Sequence, residues 1–358
     1  MRVLVAAGGT GGHIYPALAV VEELRAHGVV EEVGWVGNPT GLEAKVVRAY
    51  PWIRFLPLSS QGLDRRRPWT WPATALAAAR ALAQAKRTVR RFRPDVAFGT
   101  GGHVAFAPLV GALLSGVPMV IHEQNARMGL ANRVLSPWAA LVLLSFPETE
   151  GVPRRARTLL TGNPVRREIV SLSPELGDEL LVVGGSRGAR PLVDAVLRAA
   201  PDLARTPGLR VRLVVGNAAP PEAVERALGE AGVEAEVVPY ADPFAEALKR
   251  ARLVVARAGA TTAAELAAAG RPAVLVPWPG AADLHQHENA RALARAGGGV
   301  VLPEEVALHK LAEVVCSLWT DEARLSEMAR AARAVARPEA ARRAAEALIT
   351  LVNKEKRS

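Results

Sequence analysis

Cysteine occurs once in this sequence, at position 316, which excludes a disulfide framework and a cysteine zinc site. Cys316 falls within the apolar helical pattern of Leu311, Val314, Val315 and Leu318, where it reads as core filler. A strand pattern starts at residue 2, which predicts no signal peptide and a cytoplasmic setting. Asp, Glu, Lys and Arg are all absent from residues 96–121. That stretch is long enough to cross a bilayer, but Pro108, Pro118 and its glycines predict a strand, a glycine turn, a short helix and a second strand. No D-x-D metal motif occurs anywhere in the chain.

What is present is a hydrophobic content of 50% over 358 residues, enough to bury the cores of two domains. Charge is spread unevenly, with 19 Lys/Arg against 10 Asp/Glu up to Gly162 and 26 against 25 beyond it. A basic excess confined to one half points to an anionic partner for that half. Arg65-Arg66-Arg67-Pro68-Trp69-Thr70-Trp71-Pro72 precedes an alanine-rich run that Lys86, Arg87, Arg90, Arg91 and Arg93 close. Arginines beside indoles suit an anionic membrane surface, to which Trp138 would add; a core helix with a solvated basic face fits the same residues. No nucleic-acid motif accompanies the charges, so nucleic acid is not an expected partner.

Strand and helix patterns alternate throughout, which predicts an α/β chain with parallel sheets. Arg2 to Ala6 reads as a buried strand and Tyr15 to Leu24 as a helix with Pro16 in its first turn. Between them lies Ala7-Gly8-Gly9-Thr10-Gly11-Gly12-His13. Its bare backbone N–H groups at a helix start suit a phosphate or another anion, with His13 at the mouth; a tight turn without a ligand is the alternative. A dinucleotide site does not fit. The third glycine of G-x-G-x-x-G would be residue 14, which is Ile14, and the strand at Val33 to Val36 ends in Gly37-Asn38 without an acid for a ribose.

Loss of periodicity after Gly162 places a domain boundary there, giving 1–162 and 163–338, with a last helix over 339–358 crossing back to the first domain. The second half restarts the plan: Glu179 to Val183 as strand, then Gly184-Gly185-Ser186-Arg187-Gly188-Ala189-Arg190 as its glycine turn. The expected fold is two Rossmann-like parallel-sheet domains facing across a cleft. A third turn runs from Ala256 to Glu265, where Thr261 and Thr262 read as helix caps. Glu265 is there either a capping-box acid or a carboxylate for a ribose diol. His285, Gln286 and Asn289 are hydrogen-bonding groups at the start of a later helix, and the i, i+2 spacing of His285 and His287 argues against a metal pair.

Taken in order, Ala7 to His13, His122-Glu123-Gln124-Asn125, Gly162-Asn163-Pro164-Val165-Arg166, Gly184 to Arg190, Gly259 to Glu265, and His285-Gln286 with Asn289 resemble the MurG family of GT-B glycosyltransferases. The resemblance implies inverting transfer of N-acetylglucosamine from UDP-GlcNAc to the 4-hydroxyl of the muramoyl sugar of lipid I. Lipid I is the undecaprenyl-diphosphate muramoyl-pentapeptide, and the product is lipid II of peptidoglycan synthesis. It implies that Thr10, Gly11 and Gly12, assisted by Asn125, face the acceptor diphosphate and the transferred sugar, with His13 as general base. It further implies that Ser186 and its turn hold the donor diphosphate near Arg166, and that backbone near Ala241 meets the uracil. The turn at Ala260, Thr261 and Thr262 would serve the donor with Glu265 on the ribose, while Gln286 and His285 read sugar hydroxyls.

No cofactor or metal is implied, since backbone amides, helix termini and arginine can stabilise departing UDP. A peripheral enzyme on the cytoplasmic face of the membrane, with other cell-wall enzymes as partners, completes the expectation. A helix N-terminus disfavours imidazolium and so keeps His13 able to accept a proton, while a bound diphosphate would push the other way. The chain departs from the family at Gly101-Gly102-His103, where Gly-Gly-Tyr is usual, so His103 either substitutes as a donor or competes with His13. Residues 59–67 also match poorly. A UDP-GlcNAc 2-epimerase and a non-catalytic scaffold are the other readings; vesicle binding and transfer to a lipid-diphosphate acceptor distinguish the first, and UDP release with lipid I present distinguishes the second.

Overall fold

Val3, Leu4 and Val5 are wholly buried in strand β1 (Arg2–Ala6), as an unbroken apolar run requires when both faces of a parallel sheet are covered. The structure, a computed structural model, describes residues 1–58, 71–185, 188–280 and 285–356. The chain forms two compact units, Met1–Pro164 with Glu339–Ser358, and Val165–Pro338. The division falls two residues beyond the expected one.

After β1 the first unit continues with α1 (Gly11–Ala26), β2 (Glu32–Gly37), α2 (Leu42–Val47), β3 (Ile53–Pro57) and α3 (Trp71–Phe92). It then runs through β4 (Val96–Gly99), α4 (Gly102–Leu113), β5 (Met119–Glu123), α5 (Leu130–Leu135), β6 (Leu141–Leu144) and β7 (Thr158–Leu160). The sheet order is β3-β2-β1-β4-β5-β6-β7 and every pairing is parallel. The charge-free stretch 96–121 is β4, α4 and the start of β5; among the described residues no helix is long and apolar enough to cross a membrane. Helix α3 buries Ala81, Ala85, Val89 and Phe92 and exposes Arg80, Arg87, Arg90 and Arg91, a spacing of three to four that separates a core stripe from a basic face. The Arg65 to Thr70 run lies outside the described residues.

The second unit contains α6 (Arg167–Val170), β8 (Glu179–Val183), α7 (Arg190–Arg205), β9 (Arg210–Val214), α8 (Pro221–Glu230), β10 (Ala235–Val238) and α9 (Phe244–Arg250). It closes with β11 (Ala251–Ala256), α10 (Ala260–Ala269), β12 (Ala273–Leu275), α11 (His285–Arg295), β13 (Gly299–Val301), α12 (Glu304–Thr320) and α13 (Glu322–Val335). Its parallel sheet runs β10-β9-β8-β11-β12-β13. Apolar stripes of α7 and α12 cover one face, and Cys316 packs half-buried against that cluster with the Thr206 hydroxyl donating to its sulfur at 3.0 Å. The last helix, α14 (Ala340–Glu355), belongs to the first unit, where Ala344, Ala345, Leu348 and Val352 share a core with Ile14 and Leu18 of α1.

In each sheet the strand order reverses between the first strand and a later neighbour: β1 beside β4, and β8 beside β11. Loops leaving the carboxyl ends of such a pair diverge and open a crevice, the usual ligand position of open α/β sheets. Both glycine turns leave β1 and β8 at this point.

Candidate active site

Helix α1 starts at Gly11, four residues earlier than Tyr15, so Gly11, Gly12 and His13 form its first turn. Thr10 is the N-cap in an extended conformation, and its carbonyl accepts the His13 and Ile14 N–H groups at 3.1 and 3.2 Å. Proline in the sixth helical position marked the start too late. The consequence is that His13 is held on a helix rather than on a loop, with its carbonyl further tied to the Thr100 hydroxyl at 2.9 Å.

The glycine turn itself is not empty of charge. Glu43, fully buried at the start of α2, accepts the Gly9 N–H at 3.0 Å on one carboxylate oxygen and the Asn38 N–H at 2.8 Å on the other. A Cβ on Gly8, Gly37 or Gly41 would stand 2.7, 2.5 or 2.6 Å from this side chain, so the three glycines clear its space. The Gly9 N–H is thus taken up within the protein by Glu43.

From the β4 side, Gly102 opens α4 with φ +76°, and a Cβ there would lie 3.2 and 3.3 Å from Cδ2 and Nε2 of His13. Only glycine gives the imidazole this position without strain. His103 lies beside Gly9, its Cε1 3.4 Å from where a Cβ would be. His13 and His103 thus flank the same crevice from α1 and α4.

Strand β5 supplies the third side. His13 Nδ1 lies 3.2 Å from Oε1 of Gln124; the amide nitrogen of Gln124 is 3.0 Å from His122 Nδ1 and 3.1 Å from the His122 carbonyl; His122 Nε2 is 3.0 Å from the Gly162 carbonyl. Complete burial holds the His122 pKa down at about 4, so this ring is neutral. His13 is also lowered from the usual histidine value, first by desolvation; nearby Glu123 and the Gln124 hydrogen bond oppose the shift, and His103 adds to it. Glu123 binds the backbone N–H and side-chain amide of Asn125, both at 3.0 Å, on one oxygen. Its other oxygen takes Gly129 N–H at 3.0 Å and Asn132 at 2.8 Å. Asn125 is therefore positioned by a buried carboxylate two residues before it.

In the second unit Ser186 and Arg187 lie outside the described residues, and Arg190 is paired with Asp194 at 2.9 Å on the exposed side of α7. Arg166 and Glu265 come together as a buried pair, Nη2 to Oε1 at 2.8 Å, with Phe244 against the guanidinium. Burial raises the Glu265 pKa and the Arg166 charge opposes the rise. Helix α10 is capped by the extended backbone of Gly259, not by Thr261 or Thr262. Ala260, Thr261 and Thr262 are its first turn, and the capping-box reading of Glu265 does not hold.

Gln286 accepts the Trp278 N–H at 2.9 Å, and Asn289 donates to the Ala258 carbonyl at 3.3 Å. His285 begins α11, and Ala241 is half-buried between β10 and α9. All these residues follow carboxyl ends of strands β10, β11 and β12, on one edge of the sheet. Arg257, unassigned from sequence, joins two of these ends: it pairs with Glu304 and donates to the Val276 carbonyl at 3.2 Å. Among the described residues no group of three His, Cys, Asp or Glu is arranged to hold a metal.

Residues 3–144 match the family model described as glycosyltransferase family 28 N-terminal domain, and residues 179–346 the one described as glycosyltransferase family 28 C-terminal domain. A UDP-N-acetylglucosamine–N-acetylmuramyl-(pentapeptide) pyrophosphoryl-undecaprenol N-acetylglucosamine transferase from Syntrophotalea carbinolica is 42% identical over 344 residues, 94% of each chain. Among solved structures, MurG of Acinetobacter baumannii superposes with TM-score 0.75 at 31% identity, covering 99% of both chains. The UDP-GlcNAc 2-epimerase of Neisseria meningitidis shares the fold alone, with TM-score 0.70 at 14% identity over 98% of this chain and 100% of that one.

Proposed function

The chain belongs to glycosyltransferase family 28, and from that premise we infer that it transfers N-acetylglucosamine from UDP-GlcNAc to lipid I, giving lipid II. The observation that carries the reading is full-length identity above 40% to an enzyme named for that transfer, in a chain with GT-B architecture.

An acceptor alcohol is a weak nucleophile near neutral pH, and a positioned base is worth about 10²–10⁴ in rate. His13 takes the proton of the muramoyl 4-hydroxyl as that oxygen attacks the anomeric carbon with inversion. A lowered pKa keeps the imidazole in its accepting form at neutral pH. Thr10, Gly11 and Gly12, with Asn125, bind the acceptor diphosphate and the sugar in transit. On the donor side Ser186, with Arg166 nearby, holds the diphosphate; backbone at Ala241 meets the uracil. The first turn of α10 and Glu265 take the ribose, and Gln286 and His285 the sugar hydroxyls. Departing UDP is stabilised by backbone amides and arginine, which assigns no step to a cofactor.

A lipid acceptor is met at a membrane surface, and the proposal places the enzyme peripherally on its cytoplasmic face. Leu130, Val134 and Trp138 are exposed around α5, where Arg127 and Arg133 are exposed as well. Apolar anchors among arginines suit an anionic headgroup layer.

The deciding assay supplies radiolabelled UDP-GlcNAc with lipid I or a short-chain analogue to the wild type and to His13→Ala. Disaccharide product from the wild type, and turnover lowered by about 10²–10⁴ in the variant with donor binding retained, is the expected result. No product with either acceptor would overturn the function, and near-normal turnover in the variant would overturn the base.

A further inference from the structure

The contacts behind His13 form a chain whose hydrogen positions follow from chemistry at its far end. A backbone carbonyl only accepts, so the 3.0 Å contact of Gly162 O requires the hydrogen on Nε2 of His122. Neutral His122 then has a bare Nδ1. The atom of Gln124 nearest to it also lies 3.1 Å from the His122 carbonyl oxygen. Two acceptors at one atom require the amide NH₂ there; a flipped amide would put its oxygen against a lone pair and another oxygen. The amide oxygen of Gln124 consequently faces Nδ1 of His13 at 3.2 Å, and it too only accepts. His13 must carry its hydrogen on Nδ1.

We propose that Gln124 is a positioning residue that holds His13 in the Nδ1–H tautomer, leaving Nε2 bare as the proton-accepting atom, and that His122 with the Gly162 carbonyl orients Gln124. The inference rests on the reading of His13 as base and adds to it the atom that does the work. Nε2 is the nitrogen next to Gly102, where a Cβ would stand 3.3 Å away. On taking the substrate proton, His13 becomes a cation whose Nδ1–H bond to Gln124 is strengthened by charge. Glu123, the last residue of β5 and the one before Gln124, adds a stabilising negative charge, while His103 from α4 opposes it. A serine protease triad gives a carboxylate the role that Gln124 has here; loss of tautomer control there costs about 10⁴ in kcat. A neutral amide sets the same tautomer without the full charge that would raise the histidine pKa.

The direct test is long-range ¹H–¹⁵N NMR of histidine-labelled full-length protein, with the His13 signals identified by their loss in His13→Asn. The expected pattern is a protonated Nδ1 and a bare Nε2 in the wild type; the Nε2–H tautomer would overturn the proposal. Gln124→Leu should lower kcat at least 10²-fold with KM for UDP-GlcNAc within about twofold of wild type. Gln124→Glu places a carboxylate on Nδ1–H, and its acid limb of kcat against pH should move upward. An unmoved limb, or wild-type kcat in Gln124→Leu, would overturn it. The NMR readout does not depend on turnover, so a failed His13→Ala assay sinks the base assignment while leaving the tautomer measurement intact.

Discussion

Acid should destabilise the first unit, and His122 contributes a separable part of the loss. Its ring is wholly buried, with Nε2 committed to the Gly162 carbonyl and Nδ1 to Gln124, so a second ring proton has no acceptor and no solvent. Unfolded histidine takes its proton near pH 6.5, whereas His122 in the fold does so only near 4. Between those values the unfolded chain binds more protons, and stability is lost as pH falls from 6.5 towards 4. The loss from this residue is about 2 kcal/mol by pH 5 and about 3 kcal/mol by pH 4. Other groups titrate in the same range, so the measurement is a difference between two proteins. His122→Gln retains an amide donor for Gly162 but cannot be protonated. Urea unfolding followed by circular dichroism at pH 7 and pH 5 should show the wild type losing about 2 kcal/mol more than the variant over that interval. Equal losses in the two proteins would refute the reasoning, because they would mean that His122 binds its proton equally well in both states.

Two further outcomes follow from the sites. Glu265→Leu removes the 2.8 Å carboxylate partner of buried Arg166, and should cost about 3 kcal/mol of stability and raise KM for UDP-GlcNAc. Adding Arg166→Met should restore stability but not KM; a wild-type KM in the double variant would remove both residues from the donor site. Gly102→Ala should cost about 1–2 kcal/mol for its left-handed backbone and lower kcat more than donor KM, because the methyl displaces the His13 ring. Steady-state kinetics beside urea unfolding separates the two effects, and an unchanged kcat would mean that the Nε2 side of the ring is not used.

Much of the architecture is legible in the sequence, because strands buried on both faces of a parallel sheet appear as apolar runs such as Val3 to Val5 and Leu180 to Val183. Glycine turns after β1 and β8 stand out for the same reason: a strand that turns at once into a helix leaves little room for side chains. Helix starts were harder. Thr262 with Glu265 satisfies the capping-box spacing, but the chain leaves β11 so abruptly that Gly259 already takes the cap and Glu265 is free to face Arg166. The Gln124 relay was not legible at all. Its parts are residues 13, 122, 124 and 162, and only the sheet order that places β5 next to β4, and β4 next to β1, brings them into line.

Glu43 shows why the two similar turns need not do the same work. Alone in sequence it is an acid in the first turn of a short helix, a common helix-dipole choice. Parallel pairing of β1 with β2 brings Gly8 and Gly37 together, and with Gly41 they make the space in which its carboxylate reaches the Gly9 N–H. A phosphate oxygen about 5 Å from that carboxylate would meet a repulsion of about 3 kcal/mol per pair of unit charges at an effective dielectric near 20. The Gly8–Gly9 part of the turn is therefore a clamp rather than a phosphate cradle. The diphosphate site proposed for this turn is thereby left with the start of α1, at Gly11 and Gly12, next to His13 in the chain. On that geometry an acceptor diphosphate held at the helix start lies next to the base, and its charge favours the imidazolium that forms when the proton is taken.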